Sequence, residues 1–536
     1  MLFSSPNWPK SSKRPIVPPK IENSLKGVKL KMWDVLTNIT ARLSNLIISG
    51  AVGQMTDKQF LEKEIARWKR SPERMMQIKG FLYYDDDHDI LHRKRQMIGE
   101  DGKLEDVENL PNNHIIDNQY GKLVNQKANY LLGQPFTVDS ENDQYAELLK
   151  DLFNKRFMKL LKNAGKAMLN GGIAWLHPYY RDDGQLAFHL FPAYEILPFW
   201  SDSEHTELEF AIRLYTVQGY NGTEPVLIEK VEVYDLEGLH RYTLDGGTLT
   251  PDVDENGQNT ESYITYTDSD GHAEGLNWTK IPLIPLKYNE QETPLLKKVK
   301  SLQDGINVML SDFENGMQED NRNTILILKN YDGENLGEFR KNLSTFGVVK
   351  VRSDDGADGG VETLEITVNS ENYKTILDLF KKALIENGMG YDAKDDRLSG
   401  NPNQMNIQSM YSDIDLDAND METELQAAFE EILWFVDAHL YNTGKGDFSQ
   451  ETANITFNRD ILINESEAIQ NCKDSVGILS DETIVTQHPW VDDPAAELER
   501  LKKQKEEQQQ EFEAQNYNPF KENNPPGADD GGENDG

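Results

Sequence analysis

The chain has 536 residues, of which 37% are hydrophobic, and carries a formal net charge of −37. The length predicts three or four structural units with real cores. The charge argues against a simple electrostatic nucleic-acid binder, whose phosphate contacts need Lys and Arg.

Cys472 is the single cysteine, so an intrachain disulfide is excluded and a reducing compartment suits the chain. No run of about eighteen apolar residues is present, so no membrane span is expected. Residues 1–30 read as a loose basic arm rich in Pro, Ser and Lys. Leu36–Ile48 alternates as an amphipathic helix does, which speaks against a secretory signal.

Residues 31–165 read mostly helical, with candidates at 31–49, 57–69, 113–132 and 142–169. The third carries Ile115, Ile116, Leu123, Val124 and Leu131 and stops near Gly133 and Pro135. Residues 172–290 read as strands at Ile173–Tyr180, Leu186–Phe191, Phe210–Tyr215, Val226–Tyr234, His240–Leu244, Tyr263–Thr267 and Ile281–Tyr288. Gly, Asp and Asn clusters separate them.

A long helix follows. Leu295, Val299, Leu302, Ile306, Met309 and Phe313 step by four and three, which makes a narrow seam on one face. About thirty helical residues span roughly 45 Å. Residues 323–368 read as a small β-rich insertion, with strands at Thr324–Leu328, Gly347–Val351 and Val361–Val368 and a short helix at Asn335–Phe346. A second helix, 370–387, places Tyr373, Ile376, Phe380 and Leu384 on one face. A polar loop, Gly388–Asn403, leads to a third helix with the stripe Ile407, Met410, Ile414, Met421, Leu425, Ala428, Ile432 and Phe435. The acidic stretch Asp413–Asp420 is a place for that helix to kink or break. Helices at 464–477 and 480–515 follow, and the Pro-, Gly- and Asp-rich tail 516–536 is expected to be disordered.

No Walker A loop, Gly-x-Gly-x-x-Gly, His-Glu-x-x-His or Gly-x-Ser-x-Gly occurs, and no enzyme, catalytic residue or cofactor is expected. Asp252, Asp254, Asn256 and Gly257, and separately Asp413, Asp415, Asp417 and Glu424, have part of a calcium-loop spacing. The first set lacks the terminal Glu and the second has Ala418 where Gly is wanted, so a hairpin turn and a solvated helix face are the plainer readings. Asp85–His92, His177 and His189 are read as structural, and no metal site is assigned. Lys297, Lys298 and Lys300 flank the seam. In one chain they are a solvated cluster, and in a symmetric ring they repeat into basic belts.

Several strings resemble the bacteriophage portal proteins of the SPP1-like class. They are "NHIIDNQYGKLVNQKANYLLGQP" at Asn113–Pro135, "GGIAWLHPYYRDDGQLAFHLFPAYEILPFW" at Gly171–Trp200, "GILSDETIVTQHPWVDDPAAELE" at Gly477–Glu499 and the shorter "YYDDDHDIL" at Tyr83–Leu91. The resemblance covers roughly residues 50–505. It implies an α+β, multidomain portal fold with wing, stem, clip and crown. The wing is 31–292, the first stem helix 293–322, the clip 323–368 and the second stem helix 369–387. The tunnel loop is 388–403, the long wing helix with a following strand 404–458, and the crown 459–515.

The resemblance also implies a dodecameric ring at one capsid vertex of the virion, assembled in the bacterial cytoplasm, through which double-stranded DNA is packaged and ejected. The implied partners are the terminase large subunit, head-completion or adaptor proteins, and the major capsid and scaffolding proteins. On this reading Asp392, Lys394, Asp395, Asp396 and Arg397 of the tunnel loop, with Lys297, Lys298 and Lys300, are candidates for facing DNA. The seam Leu295–Phe313 is a candidate subunit-packing face. Another phage head protein, or a metal-dependent nuclease built on the clustered aspartates, are the alternatives.

Overall fold

The computed structural model describes residues 57–98, 102–107, 110–267, 272–320, 325–329, 337, 360–364, 370–392, 404–459, 464–491 and 494–515. The chain divides into two compact units, 1–392 with 411–460, and 393–410 with 461–536. The expected arm, the helix 31–49, the acidic tail, most of the insertion and the loop residues 393–403 lie outside the described residues.

The first described elements of the first unit are α1 (Asp57–Trp68) and α2 (Pro72–Tyr84). Ser71 caps α2 by accepting from the Arg74 amide, and Pro72 occupies the first turn, where its missing N–H costs nothing. A short hairpin follows, β1 (Gln96–Ile98) and β2 (Leu104–Asp106), and then α3 (Gln119–Leu132), β3 (Thr137–Ser140), α4 (Asp143–Leu152) and α5 (Lys155–Gly171). The single helix expected at 142–169 is thus two, because Asn154 leaves the helical path and its side chain caps α5. Gly172, at φ +79°, ends α5 in the left-handed conformation that favours glycine.

Strands come next: β4 (Ile173–Tyr180), β5 (Leu186–Pro192), β6 (Ile196–Trp200), β7 (Leu208–Asn221), β8 (Glu224–Tyr234), β9 (Leu239–Asp245), β10 (Thr248–Pro251), β11 (Thr260–Glu261), β12 (Ile264–Thr267), β13 (Ala273–Leu276) and β14 (Ile284–Lys287). One sheet has the order β14-β4-β5 and another β10-β9-β8-β7-β6, with β11 on β9. Residues alternate between faces of a strand. Ala211 and Tyr234 therefore meet Trp175 and Phe191 of the smaller sheet, whereas Ile212, Leu214, Val231 and Val233 meet Ile65 and Trp68 of α1. Both faces of the larger sheet are packed at these positions, and Arg213, on the Ala211 face, is buried in an ion pair with Glu232 at 3.1 Å.

The unit continues through α6 (Leu295–Asp320), the paired strands β15 (Ile325–Lys329) and β16 (Gly360–Leu364), α7 (Ser370–Asn387), the helix α8 (Gln404–Asn442), which enters it at Tyr411, and β17 (Ala453–Thr456), which pairs with β3. Phe429 of α8 joins Phe136, Phe153, Phe157 and Phe457 in an edge-to-face aromatic core.

The acidic stretch does not break α8. Asp417 pairs with Lys127 at 2.5 Å and accepts from the Tyr288 hydroxyl at 2.7 Å. Asp415 meets Arg459 at 3.1 Å and Glu422 meets it at 2.7 Å. Asp415 and Asp417, which their acidic neighbours would repel along an isolated helix, are neutralised by partners from elsewhere in the chain.

The second unit contains α9 (Glu465–Asp474), α10 (Asp481–Thr486) and α11 (Pro494–Gln515), the first two capped by Asn464 and Ser480. Gln404 ties its part of α8 to α9. Its amide donates to Glu467 at 3.0 Å and its side chain accepts from the Asn464 amide at 3.0 Å. Among the described residues, no helix is long and apolar enough to cross a membrane.

Candidate functional site

The seam on α6 is divided by its surroundings. Leu295, Val299 and Ile306 are fully buried within the chain, while Leu302, Met309 and Phe313 are half-buried. Helix α7 lies against α6. The Phe313 and Tyr373 rings are 5.2 Å apart, and a Cβ on Gly305 would come within 2.7 Å of the Phe380 ring. The expectation that the whole seam packs on a neighbouring copy is therefore corrected. Leu295, Val299 and Ile306 already serve the core of one chain. Ile376, expected on one face with Tyr373, Phe380 and Leu384, is 42% exposed, and Leu379 is 60% exposed.

A second buried face of α6 is polar. Gln303, Asn307, Ser311 and Asn315 recur every fourth residue and are all buried. Residues 113–118, expected to be helical, run past them as an extended strap. Asn113 N–H donates to Asn315 Oδ1 at 2.7 Å, Ile115 N–H to Ser311 Oγ at 2.9 Å, and Asp117 N–H to Asn307 Oδ1 at 3.1 Å. Four helical residues rise about 6.0 Å and two extended residues about 6.6 Å, so the two repeats stay nearly in step. The strap's amides are satisfied by side chains of α6, which removes the need for a helix there. The four-residue polar spacing on an otherwise apolar side was the available sequence signal.

The three lysines differ in their surroundings. Lys300 is bound to Asp89 at 2.7 Å and Asp304 at 2.6 Å, beneath the Tyr83 ring. Burial lowers its affinity for the proton, but the two carboxylates outweigh burial and hold it above the ordinary lysine range. Burial would raise the Asp89 carboxyl, yet Lys300 and Lys79 bring it down to about 2. Lys300 is thus a structural ion-pair partner, while Lys297 and Lys298 are exposed.

The loop after α7 has a built root. Gly388 N–H donates to Leu384 O at 3.0 Å and Gly390 N–H to Ile385 O at 2.9 Å. Between them Met389 sits at φ +51°, the left-handed conformation that turns the chain out of the helix. A Cβ at Gly388 or Gly390 would come within 2.3 or 2.5 Å of a Leu123 methyl, so a side chain at either position would have to push Leu123 aside. Gln126 of α3 accepts from the Tyr391 amide at 3.2 Å and donates to the Tyr391 carbonyl at 2.8 Å. The Tyr391 ring stacks on Tyr411, and Tyr411 on Tyr130. Asp392 follows immediately. Lys394, Asp395, Asp396 and Arg397 lie outside the described residues.

The other acidic clusters are occupied by local partners. Asp254 accepts from the Asn256 and Gln258 amides, and Asp252 pairs with Lys230. That is a hairpin turn. In 85–92, Asp86 binds Asn118, and His88 is buried with its Nε2 on the Tyr83 carbonyl and its Nδ1 on Asn307. His177 is buried against the Pro282 carbonyl at 2.6 Å.

A family-wide profile described as "Phage portal protein, SPP1 Gp6-like" matches residues 61–511. A portal protein of Bacillus phage SPP1 is 30% identical over 470 residues, which is 87% of this chain and 90% of that protein. A portal protein of Clostridium phage phiCD119 is 28% identical over 82% of this chain and 94% of its own length. Among solved structures, a chain from the neck of a native GTA particle, computed with C12 symmetry, aligns with a TM-score of 0.34 and 11% identity. That alignment covers 69% of this chain and 89% of that one.

Proposed function

The chain belongs to the SPP1 Gp6-like family of phage portal proteins, and from that premise we propose that its copies form a dodecameric ring through which double-stranded DNA is packaged and ejected. The protein is a structural component of the phage head and not an enzyme. In the proposed ring, 31–292 with 404–458 form the wing and 293–322 with 369–387 the stem. Residues 323–368 form the clip that meets the terminase large subunit and later the head-completion proteins. Residues 459–515 form the crown. Major capsid and scaffolding proteins surround the ring during assembly in the host cytoplasm.

The observation that carries this reading is the root of the loop 388–403. A polar loop bearing both signs of charge leaves α7 from a point held by two glycines, Gln126 and a tyrosine stack. Such a root suits a loop that touches a moving duplex transiently. An acidic protein surface repels phosphate, and sparse cations such as Lys297 and Lys298 keep the duplex centred. Leu302, Met309 and Phe313, with exposed Ile376 and Leu379, are the apolar surface this hairpin offers to a neighbour.

The test is to neutralise Asp392, Lys394, Asp395, Asp396 and Arg397 together. The expected result is altered packaging or DNA retention in intact rings. Unchanged packaging would remove the loop from the DNA path.

A further inference from the structure

Helix α5 is an exception in this acidic chain. Its 17 residues include Lys155, Arg156, Lys159, Lys162 and Lys166 and no Asp or Glu. Lys166 donates to the Tyr84 hydroxyl at 2.9 Å. The side chains of the other four have no ion pair or hydrogen bond among the described residues. Lys155, Lys159 and Lys162 step by four and three, so they share one face of the helix. Lys155 and Arg156 also occupy the first turn, where the helix dipole disfavours cations. A local rule broken without a compensating partner among the described residues points to a partner elsewhere.

Lys159 and Lys162 flank a cleft of about 220 Å³ lined by Leu132, Pro135, Phe136 and Met158. An apolar cleft between ammonium groups fits a large aliphatic side chain flanked by carboxylates. A DNA backbone would satisfy the lysines and leave the cleft empty.

Helix α8 carries such a group. Asp413, Leu416 and Asp420 are exposed, with Leu416 58% exposed, and their spacing of three and four places them on one face. Neither Asp413 nor Asp420 has an ion pair among the described residues, whereas Asp415 and Asp417 between them are neutralised inside the chain. The two free aspartates are separated by seven positions, as are Lys155 and Lys162, a distance of about 10.5 Å along a helix.

We propose that Leu416 of one copy seats in the α5 cleft of the next, with Asp413 and Asp420 against the lysine face. The two patches differ, so the contact is head-to-tail and propagates around a closed ring. The inference rests on the ring reading above.

The test is charge exchange in the full chain, read by native mass spectrometry and negative-stain imaging. Lys159→Glu with Lys162→Glu, and separately Asp413→Lys with Asp420→Lys, should each cut the ring population at least tenfold while the monomer keeps its circular dichroism and melting temperature. All four substitutions together should restore rings. Lys159→Gln with Lys162→Gln serves if the reversed charges impair folding, and should weaken rings in the same direction. Rings that survive either lysine pair, or that the fourfold variant fails to restore, overturn the contact. Intact rings with reduced duplex retention would make α5 a DNA contact instead and also overturn it. A wild-type protein that forms no rings under the same conditions would defeat the ring reading itself.

Discussion

Gln126 holds Tyr391 by its backbone from both sides, accepting from the amide at 3.2 Å and donating to the carbonyl at 2.8 Å. The two residues are 265 positions apart. One side chain of α3 thereby fixes where the loop after α7 begins, whatever the rest of the loop does. Gln126→Ala should release that backbone at a cost of about 1–2 kcal/mol, since each intramolecular hydrogen bond contributes about 1 kcal/mol net. Amide exchange at Tyr391 should accelerate about fivefold or more, with the exchange of α7 unchanged. Equal protection of Tyr391 in the variant would show that Gly388, Gly390 and the tyrosine stack suffice.

The strap on α6 predicts a large effect from a small change. Asn307 accepts from the part-buried Asp117 amide and from Gln303 Nε2 and donates to His88 Nδ1, the last two contacts being buried. Asn307→Leu keeps the size and takes a hydrogen-bond partner from Asp117, Gln303 and His88. An unsatisfied buried polar group costs about 1–3 kcal/mol, so the variant should unfold at a clearly lower denaturant midpoint with an unchanged slope. A midpoint within error of the wild type would mean that the strap is not held by this ladder.

Lys127 and Asp417 are only 2% and 8% exposed at their side chains. Burial lowers the Lys127 ammonium to about 8, against the pull of Asp417. Lys127→Met leaves Asp417 charged in the interior and should destabilise by about 3–5 kcal/mol. Adding Asp417→Leu should recover most of that loss, less what Tyr288 forfeits with its acceptor. A double variant as unstable as the single one would mean that the pair does more than neutralise itself.

Two buried histidines set an acid limit. Burial holds His177 and His439 at about 4 against an ordinary value of 6.5. The unfolded chain therefore takes up protons between pH 6.5 and 4 that the native chain refuses. Their contribution is fully present above pH 6.5 and is lost as the pH falls towards 4. At 1.36 kcal/mol per pKa unit, each histidine accounts for up to about 3 kcal/mol. His177→Phe, which suits the ring stack with Phe191 and Tyr179, should flatten the fall in melting temperature over this range. An unchanged fall would assign the acid sensitivity elsewhere.

Local signals in the sequence found the elements that are bounded by strong breakers or uniformly buried. Ile173–Tyr180 is a continuous apolar run behind Gly171 and Gly172, and Ser370–Asn387 ends at Gly388; both matched the expected bounds. Helix α2 was missed although Ser71, Pro72 and Glu73 carry its start signal, because its face mixes Met, Lys and Tyr. The strap was misread because Ile115 and Ile116 resemble the apolar pair of a helix, and its real partners lie about 190 positions downstream. Lys300 was half legible: Asp304 stands four positions on along the same helix, but Asp89 is 211 positions away. The loop root was half legible: its glycines marked a turn, but nothing local pointed to Leu123 or Gln126.

The central claim is that copies of this chain close into a ring around a channel. Negative-stain imaging of the purified full-length protein tests it most directly. The expected image is rings of uniform size with a central hole and about twelve-fold symmetry. Monomers, or compact particles without a hole, would contradict it.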